Sequence, residues 1–371
     1  MCQATPMFRV FRLTVLGLAG AVLFSMSGCA ALKNASLSPF VQDAQRTPQG
    51  RSALYERVAP ACVEILSDGH LSGSGWFCSP EGLVMTAGHV MEKPEMNLEV
   101  LVAPDQRYKA HRVALDRGHD LALIEVEGTK GPFPTLPLAR EMPAVGEDAF
   151  VFGMPLYRHA VLLTGQPARQ GTTFEWLGTE TSYAEIVHFH GASPQGTSGG
   201  PWINPRGEVI GLQSSMMSLN DAPMGIAFVS PLGAIRHLIE TRRNGDTPHI
   251  GCAFDEFWEH DLDFIRSFPA GTEGVVVRMP AKDSPVEKAG LRELDCVTAV
   301  DGKPIRYRDQ MVGAMRSKKP GETLELTVLR KGEAARTVNV VLSNLEQDWL
   351  EGKAPKAEPE EEKDSEKKSE S

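Results

Sequence analysis

The sequence has no excess of basic residues. Its 38 Lys and Arg are outnumbered by 48 Asp and Glu, so the formal net charge is −10. Surfaces that bind nucleic acids depend on clustered cations that meet phosphates, and this charge balance therefore excludes nucleic acid as the main partner. The chain has 371 residues, of which 42% are hydrophobic, which is enough for two globular domains with tails.

The sequence also lacks an apolar run long enough to span a membrane comfortably. The N-terminal run at residues 13–26 follows Arg9 and Arg12 and has the length of the apolar region of a secretory signal. The segment that ends at Cys29 resembles a bacterial lipoprotein cleavage box, in which the cysteine is lipidated after cleavage. This resemblance predicts a signal peptide at 1–28, lipidation of Cys29 and a tether at 29–50. It would place the protein in the bacterial cell envelope, on the periplasmic face of the outer membrane. A plain secretory signal that is cut nearby is the alternative.

Cysteine is scarce and is not spaced as in a metal site. Two of the six cysteines lie in the export segment, and Cys252 and Cys296 lack metal-type spacing. Cys62 and Cys78 lie at similar distances from a predicted hairpin turn, so an exported protein could oxidise them. Alternatively, both are small buried side chains. No metal ion and no cofactor are expected.

From residue 53 onward, short apolar runs such as "GLVMTAGHV" and "GEVIGLQSS" alternate with turn signals. Regular short strands of this kind indicate an all-β barrel or sandwich. An amphipathic helix at 232–245 closes this region, and a smaller module of strands and a short helix follows. The C-terminal residues are mostly Glu, Lys, Ser and Pro, which favours disorder. We therefore expect domains at 51–245 and 246–345 and a disordered charged tail at 346–371.

Three motifs place polar residues where strands meet loops. "VMTAGHV" contains His89, "RGHDLALIEV" contains Asp120, and "SPQGTSGGPW" contains Ser198. A serine hydroxyl needs an imidazole to remove its proton, and the imidazole needs a carboxylate to hold its tautomer. Each motif alone is common, and the last could be an ordinary glycine-rich loop. Together and in this order they predict a catalytic triad, with the N–H groups of Gly196 and Ser198 as the oxyanion hole.

The motifs "TAGHV", "HDLALIEV", "GTSGGP" and "MGIAFVSP" resemble those of the HtrA/Deg family of bacterial envelope serine proteases. In the second module, "HIGCAF" and "SPVEKAGLRELDCVTAVDGKPI" resemble the carboxylate-binding loop and the signature of that family's PDZ domain. The resemblance implies a mainly β fold, in which a chymotrypsin-like double β-barrel precedes one α+β PDZ domain. It also implies a homotrimer. Leu294 stands where the pattern usually has glycine, so an altered turn is expected there.

The resemblance further implies which residues contact a substrate. Leu212, Gln213 and Ser214 are expected to pair with the substrate backbone and to form a wall of its pocket. His188 and His190 alternate in a preceding strand, but no third ligand has suitable spacing, so ordinary strand side chains are favoured over a metal site. These features predict a serine endopeptidase that hydrolyses misfolded or specific envelope proteins through an acyl-enzyme.

The PDZ-like module is expected to bind peptides that end in a free carboxylate. Backbone N–H groups near Ile250, Gly251 and Cys252 would bind the carboxylate, while the peptide adds a strand to the sheet. Alternatively, this module only packs against the protease. For the whole chain, the alternative function is a PDZ-containing chaperone or scaffold that mainly binds unfolded clients.

Overall fold

The computed structural model describes residues 50–353, apart from residues 92, 104, 130, 156–158, 178–182 and 220–221. The predicted signal peptide, Cys29, the tether up to residue 49 and residues 354–371 of the predicted tail lie outside this part. Among the described residues, no helix combines the length and apolar character needed to cross a membrane.

The N-terminal half begins with helix α1 (Arg51–Val58) and a closed six-stranded antiparallel barrel. The strands are β1 (Cys62–Ser67), β2 (His70–Phe77), β3 (Leu83–Ala87), β4 (Leu98–Ala103), β5 (Gln106–Asp116) and β6 (Leu121–Val126). Their order is β1-β2-β3-β6-β5-β4, and the β1–β4 pairing closes the ring. Apolar residues such as Ile65, Met85 and Leu123 form its core, and β1 and β3 are buried along their whole length. The ends of β3 and β6 lie side by side, which brings the residues that flank them together.

A second barrel follows. Its strands are β7 (Ala149–Gly153), β8 (Val161–Pro167), β9 (Thr173–Trp176), β10 (Tyr183–Gly191), β11 (Pro201–Ile203), β12 (Val209–Leu219) and β13 (Ala222–Pro231). Six strands close in the order β13-β12-β11-β7-β8-β10, and β9 adds to the edge of β10. Phe189 and Trp202 pack in its core with ring centroids 4.8 Å apart. The predicted chymotrypsin-like double barrel is confirmed.

Helix α2 (Leu232–Thr241) closes the second barrel. The predicted helix reached Gly245, but the structure ends it at Thr241 because Arg242 adopts a left-handed conformation with φ 51°. The linker that follows packs on the first barrel, where Gly245 donates to the carbonyl of Leu115 over 2.8 Å. The two barrels and the C-terminal domain belong to one compact unit.

The C-terminal domain is α+β, as predicted for a PDZ domain. Its helices are α3 (Leu262–Arg266), α4 (Pro285–Lys288) and α5 (Arg308–Arg316). Its strands are β14 (Pro248–His249), β15 (Ala253–Glu256), β16 (Val275–Arg278), β17 (Cys296–Val300), β18 (Lys303–Pro304), β19 (Thr323–Leu329), β20 (Arg336–Val341) and β21 (Ser343–Asn344). The main sheet has the order β15-β16-β17-β19-β20, so β15 is an edge strand.

One PDZ turn contains a leucine in a glycine-like conformation. Leu294 has φ 68° and is 42% exposed. The next residue, Asp295, is buried and accepts two hydrogen bonds from the Arg330 guanidinium, of 2.6 and 2.7 Å. The turn that was expected to be altered therefore keeps a left-handed backbone conformation, although leucine disfavours this conformation.

The chain continues past the predicted end of the PDZ domain as helix α6 (Leu345–Leu350). The side chain of Asn344 caps its N-terminus and accepts from the Gln347 N–H over 3.0 Å. Glu346 and Trp349 are 1% and 7% exposed. The prediction of disorder from residue 346 is therefore wrong for 346–350, because a few apolar residues at helical spacing pack on the protease despite the charged composition of the tail.

The four described cysteines are free thiols. Cys62 lies opposite Trp76 and not opposite Cys78, because the hairpin turns between Ser67 and His70 and a pairing of the two cysteines would need a turn centred on residue 70. Burial raises the pKa of the Cys62 thiol, and it raises that of Cys78 to about 12. Of the two alternatives that the sequence left open, the structure has the unpaired thiols.

Candidate active site and peptide groove

His89 lies in a 3₁₀ turn, Gly88–Val90, directly after β3. Its Nδ1–H donates to Asp120 Oδ2 over 2.8 Å, and its backbone N–H donates to Oδ1 over 2.7 Å. A Cβ atom on Gly88 would lie 3.1 Å from Asp120 Oδ1, so a larger residue would crowd this approach. One carboxylate thus holds both the ring and the backbone of His89, and Nε2 is the ring nitrogen left for proton transfer.

Asp120 precedes β6 in a left-handed conformation with φ 53°, and its side chain is 4% exposed. The Ser214 hydroxyl also donates to its Oδ2. Burial raises the pKa of Asp120, but the charge and hydrogen bonds of His89, with the Ser214 bond, bring it below the ordinary value. Burial lowers the pKa of His89, but the charge and hydrogen bond of Asp120 raise it above the ordinary value.

Ser198 joins this pair through Ser214. The Ser198 hydroxyl donates to the Ser214 carbonyl over 3.1 Å. In the part of the chain that the structure describes, no hydrogen bond links Ser198 directly to His89. The three predicted triad residues are therefore brought into one hydrogen-bonded chain, His89–Asp120–Ser214–Ser198, in which the Ser198 hydroxyl bonds to the Ser214 carbonyl.

Ser214 can reach both residues because it is a bulge in β12. Gln213 lies opposite Val229 and Ser215 lies opposite Phe228, so Ser214 has no partner in this register. A bulge re-aims the groups of the extra residue. Here it directs the Ser214 hydroxyl to Asp120 and the Ser214 carbonyl to Ser198.

The predicted substrate wall has buried side chains. Leu212, Gln213 and Ser214 are 0%, 1% and 0% exposed. Gln213 Oε1 accepts from the Trp202 indole over 2.8 Å, and Gln213 Nε2 donates to the Ser215 carbonyl over 2.6 Å. These side chains therefore support the barrel and Asp120. The main chain of the three residues is buried as well, and the substrate contact at this segment stays a prediction.

Ser74 supports the loop predicted to form the oxyanion hole. Its N–H donates to the Ser198 carbonyl and its hydroxyl donates to the Gly196 carbonyl, both over 2.7 Å. Gly196 and Gly199 have φ 95° and 85°, which favours glycine. With both carbonyls held, the N–H groups of Gly196 and Ser198 have no acceptor among the described residues. Sequence reasoning missed Ser74, whose only signal was its place between small residues in "LSGSGWF".

The loop before Asp120 contains an ionic cluster. His119 Nδ1 lies 2.8 Å from Asp116 Oδ2, and His119 Nε2 lies 3.6 Å from Glu185 Oε2. Burial lowers the pKa of His119, but the two carboxylates outweigh burial and raise it to about 9. His188, weighed above as a metal ligand, contacts Glu175 over 3.2 Å.

The predicted carboxylate-binding loop leads into the edge strand β15. Ile250 and Cys252 are buried, and Gly251 between them has φ 79°. The Ile250 carbonyl accepts from the Val286 N–H over 3.0 Å, and the Gly251 carbonyl accepts from the Ala281 N–H over 2.9 Å. The loop is thus fixed through its carbonyls.

Tyr183, from the second barrel, occupies the outer edge of β15. The Phe254 N–H donates to the Tyr183 hydroxyl over 2.6 Å, and this hydroxyl donates to the Phe254 carbonyl over 3.2 Å. The rings of Tyr183 and Phe254 stack with centroids 6.3 Å apart, and Trp176 contacts the Tyr183 ring in an edge geometry with centroids 5.1 Å apart. The N–H and carbonyl of Phe254, which an added strand would use, are therefore already paired.

Comparison with known proteins agrees with this architecture. Residues 73–212 match the trypsin-like peptidase domain family, and residues 234–342 match the PDZ domain family. The chain is 28% identical over 335 residues to serine protease HTRA1 of Xenopus tropicalis, which covers 82% of this chain and 71% of that protein. It is 27% identical over 262 residues to a probable periplasmic serine endoprotease, DegP-like, of Chlamydia trachomatis. The chain thus combines a trypsin-like peptidase domain with a PDZ domain, and its relatives are HtrA- and DegP-type serine proteases.

The match to the Chlamydia protein covers 70% of this chain but about half, 52%, of the relative. Solved structures share its fold. A serine endoprotease from Yersinia pestis, 22% identical, covers 81% of this chain with 99% of its own length and a TM-score of 0.54. The HtrA-type protease AlgW with a decapeptide, 19% identical, covers 79% of this chain with 98% of its own length and a TM-score of 0.57.

Proposed function

We propose that this serine endopeptidase cleaves peptide bonds with Ser198 as nucleophile, His89 as general base and then acid, and Asp120 as the group that orients the imidazole. The observation that carries the proposal is the double hold of Asp120 on His89, at Nδ1 and at the backbone N–H. A carboxylate in this position selects the tautomer that leaves Nε2 able to take a proton.

For reaction, the Ser198 hydroxyl has to leave the Ser214 carbonyl and turn to Nε2 of His89. As Oγ bonds to the substrate carbonyl carbon, its proton passes to Nε2, and that proton then goes to the departing amine. The acyl-enzyme that results is hydrolysed by water through the same steps. Because Asp120 raises the pKa of His89 above its ordinary value, it stabilises the imidazolium formed in each half-reaction.

The oxyanion of the tetrahedral intermediate would be bound by the N–H groups of Gly196 and Ser198. Both lack an acceptor among the described residues, while Ser74 fixes the carbonyls of the same loop. Donors that are held in place before reaction cost no reorganisation when charge develops, and one such donor contributes about 3 kcal/mol to transition-state stabilisation.

We infer that the substrates are misfolded or specific proteins of the bacterial envelope. A DegP-like relative is named a periplasmic endoprotease, and the export segment with Cys29 supports the same compartment with a lipid anchor at the outer membrane. Assembly as a homotrimer is part of this proposal and rests on the family resemblance.

The PDZ domain would bind C-terminal peptides as an added strand on β15, with the carboxylate at Ile250, Gly251 and Cys252. Addition of a strand to a sheet edge is the geometry that such binding uses, and β15 is the edge strand of its sheet. AlgW, a similar fold, was solved with a decapeptide. Because Tyr183 holds both backbone groups of Phe254, a peptide has to displace Tyr183 from this edge.

The triad is tested with a fluorophosphonate probe and casein. We expect the wild-type chain to be labelled at Ser198, as located by peptide mapping, and to degrade casein. Ser198→Ala should lose both properties, whereas Ser218→Ala, at an exposed serine of β12, should keep them. Equal casein turnover by wild type and Ser198→Ala would exclude the serine mechanism. Protection of unfolded clients without turnover would favour the chaperone function.

A further inference from the structure

The loop that carries Asp120 is held by the C-terminal helix of the chain. The Arg117 N–H donates to Glu346 Oε1 over 2.9 Å, across 229 positions of sequence. The Arg117 carbonyl accepts from the Asp120 N–H over 3.3 Å. One residue thus connects helix α6 to the residue that orients His89. The Arg117 guanidinium also lies 4.6 Å from the ring centroid of Trp349, a cation–π distance.

Glu346 is a buried carboxylate with specific donors. It is 1% exposed and also accepts the Thr247 N–H over 2.8 Å and the Thr247 hydroxyl over 2.7 Å. A buried charge is costly unless it is hydrogen-bonded, and an apolar side chain of similar size would pack at least as well. The carboxylate therefore does more than fill space, since it fixes the Arg117 backbone against Thr247.

The next residue of this loop, Gly118, is closely packed by side chains of other segments. A Cβ atom on Gly118 would lie 2.3 Å from Arg316 Nη1 and 2.4 Å from Thr247 Oγ1. The Gly118 carbonyl accepts from the Glu185 N–H over 2.8 Å. Close packing of this kind transmits displacement and does not absorb it, so a shift of α6 or of the linker reaches the loop.

We infer that Glu346 is a positioning residue for the triad, which holds the Arg117–Asp120 loop so that the carboxylate of Asp120 meets His89. This inference rests on the proposed function of the triad. Glu346 touches neither the nucleophile nor the predicted oxyanion donors, so its loss acts on the chemical step and leaves substrate binding in place.

The test compares Glu346→Gln with Glu351→Gln, a change at a solvent-exposed position just after the same helix, in the full chain. Glutamine keeps the shape of Glu346 but turns one of its acceptors into a donor against an N–H group. We expect kcat to fall roughly 10- to 100-fold with KM within about twofold, while Glu351→Gln matches wild type. Glu346→Asp keeps the charge with a shorter reach and should recover part of kcat.

A pH profile separates positioning from a general loss of structure. The groups that act on the pKa of His89 are Asp120 and Arg117, and those that flank Glu346 are Asp116 and Arg316. If the Asp120 contact loosens, the acid limb of kcat/KM moves to lower pH in Glu346→Gln, because His89 loses the interaction that raises its pKa. Loss of fold would instead lower the active fraction without moving this limb.

Wild-type values of kcat and of the acid limb in folded Glu346→Gln would overturn the inference. If Glu346→Gln does not fold, Glu346→Asp decides, since an unchanged kcat and acid limb there would also overturn it. Absence of labelling at Ser198 in the wild type would overturn the proposed triad instead. Labelling at Ser198 with an unchanged variant would overturn the positioning role alone.

Discussion

The hydroxyl of Ser214 donates to Asp120 Oδ2, the same oxygen that accepts the Nδ1–H of His89. Asp120, the predicted acid of the triad, thus accepts hydrogen bonds from both barrels, since His89 follows β3 and Ser214 lies in β12. The alignment of the imidazole consequently depends on how the barrels pack on each other.

Removing the Ser214 hydroxyl should impair catalysis without abolishing it. Ser214→Ala leaves Asp120 its two hydrogen bonds from His89, so we expect kcat/KM to fall about tenfold, in line with roughly 1.5 kcal/mol for a hydrogen bond to a charged group. Ser215→Ala is the matched control, and equal kcat/KM values for both variants would contradict the role of Ser214.

Gly199 should be intolerant of any side chain. A Cβ atom there would lie 2.1 Å from the Ser74 carbonyl oxygen and 2.4 Å from Thr86 Oγ1. Gly199→Ala should therefore lower the free energy of unfolding by about 2–4 kcal/mol. Gly171→Ala is the control, since Gly171 has a similar φ of 75° with open space around it, and it should cost about 1 kcal/mol. Equal losses in urea denaturation would show that the contact with Ser74 is unimportant.

Tyr183→Phe should strengthen peptide binding by the PDZ domain. The variant keeps the ring against Phe254 but removes the hydroxyl that pairs with its N–H and carbonyl. We expect the Kd of a fluorescent decapeptide with a free C-terminal carboxylate to fall about 5- to 10-fold, as for one to two lost competing hydrogen bonds. The same peptide with an amidated C-terminus should bind neither protein well. Weaker binding by Tyr183→Phe would argue against a peptide on this edge.

Leu294→Gly should stabilise the protein. Leu294 has φ 68°, and a left-handed conformation costs a residue with a Cβ about 1–2 kcal/mol. Glycine avoids this cost but loses about 0.5–1 kcal/mol through the entropy of the unfolded chain, so a net gain of about 0.5 kcal/mol is expected in thermal denaturation. Leu294→Ala keeps the strain and should show no gain. A lower Tm for the glycine variant would indicate that the leucine side chain makes contacts that matter.

His119 should make stability depend on pH in the neutral to alkaline range. Its pKa rises from 6.5 to about 9 in the folded protein, so its protonated form stabilises the fold fully below about pH 6.5, and this contribution is lost as pH rises through about 9. The difference in Tm between wild type and His119→Gln should therefore be largest below about pH 6.5, and it should disappear above about pH 9. A constant difference would show that protonation of His119 is not linked to folding.

Much of the architecture could be predicted from local sequence. His89 follows the end of β3 and Asp120 precedes the start of β6. The apolar pattern of each strand predicts these boundaries. The glycines around Ser198 likewise report a local backbone requirement. These signals lie within a few residues of the groups they position, so a single sequence contains them.

The contacts that sequence reasoning missed are long-range. Ser214 reaches Asp120 across 94 positions and Tyr183 reaches Phe254 across 71. The family resemblance implied only a substrate contact for Ser214. Its hydroxyl meets Asp120 through a register shift in β12, which leaves no mark on the alternation of residues. Glu346 was placed in a charged tail, since composition averaged over the C-terminus conceals a few ordered residues.

The match to the PDZ domain family ends at residue 342, which would suggest this residue as the C-terminal boundary of the domain. A hybrid or shortened protein designed on that boundary would keep all the matched motifs. It would lack helix α6, whose Glu346 accepts a hydrogen bond from Arg117 of the protease domain. In engineering work on this chain, the unit of exchange therefore extends at least through Leu350.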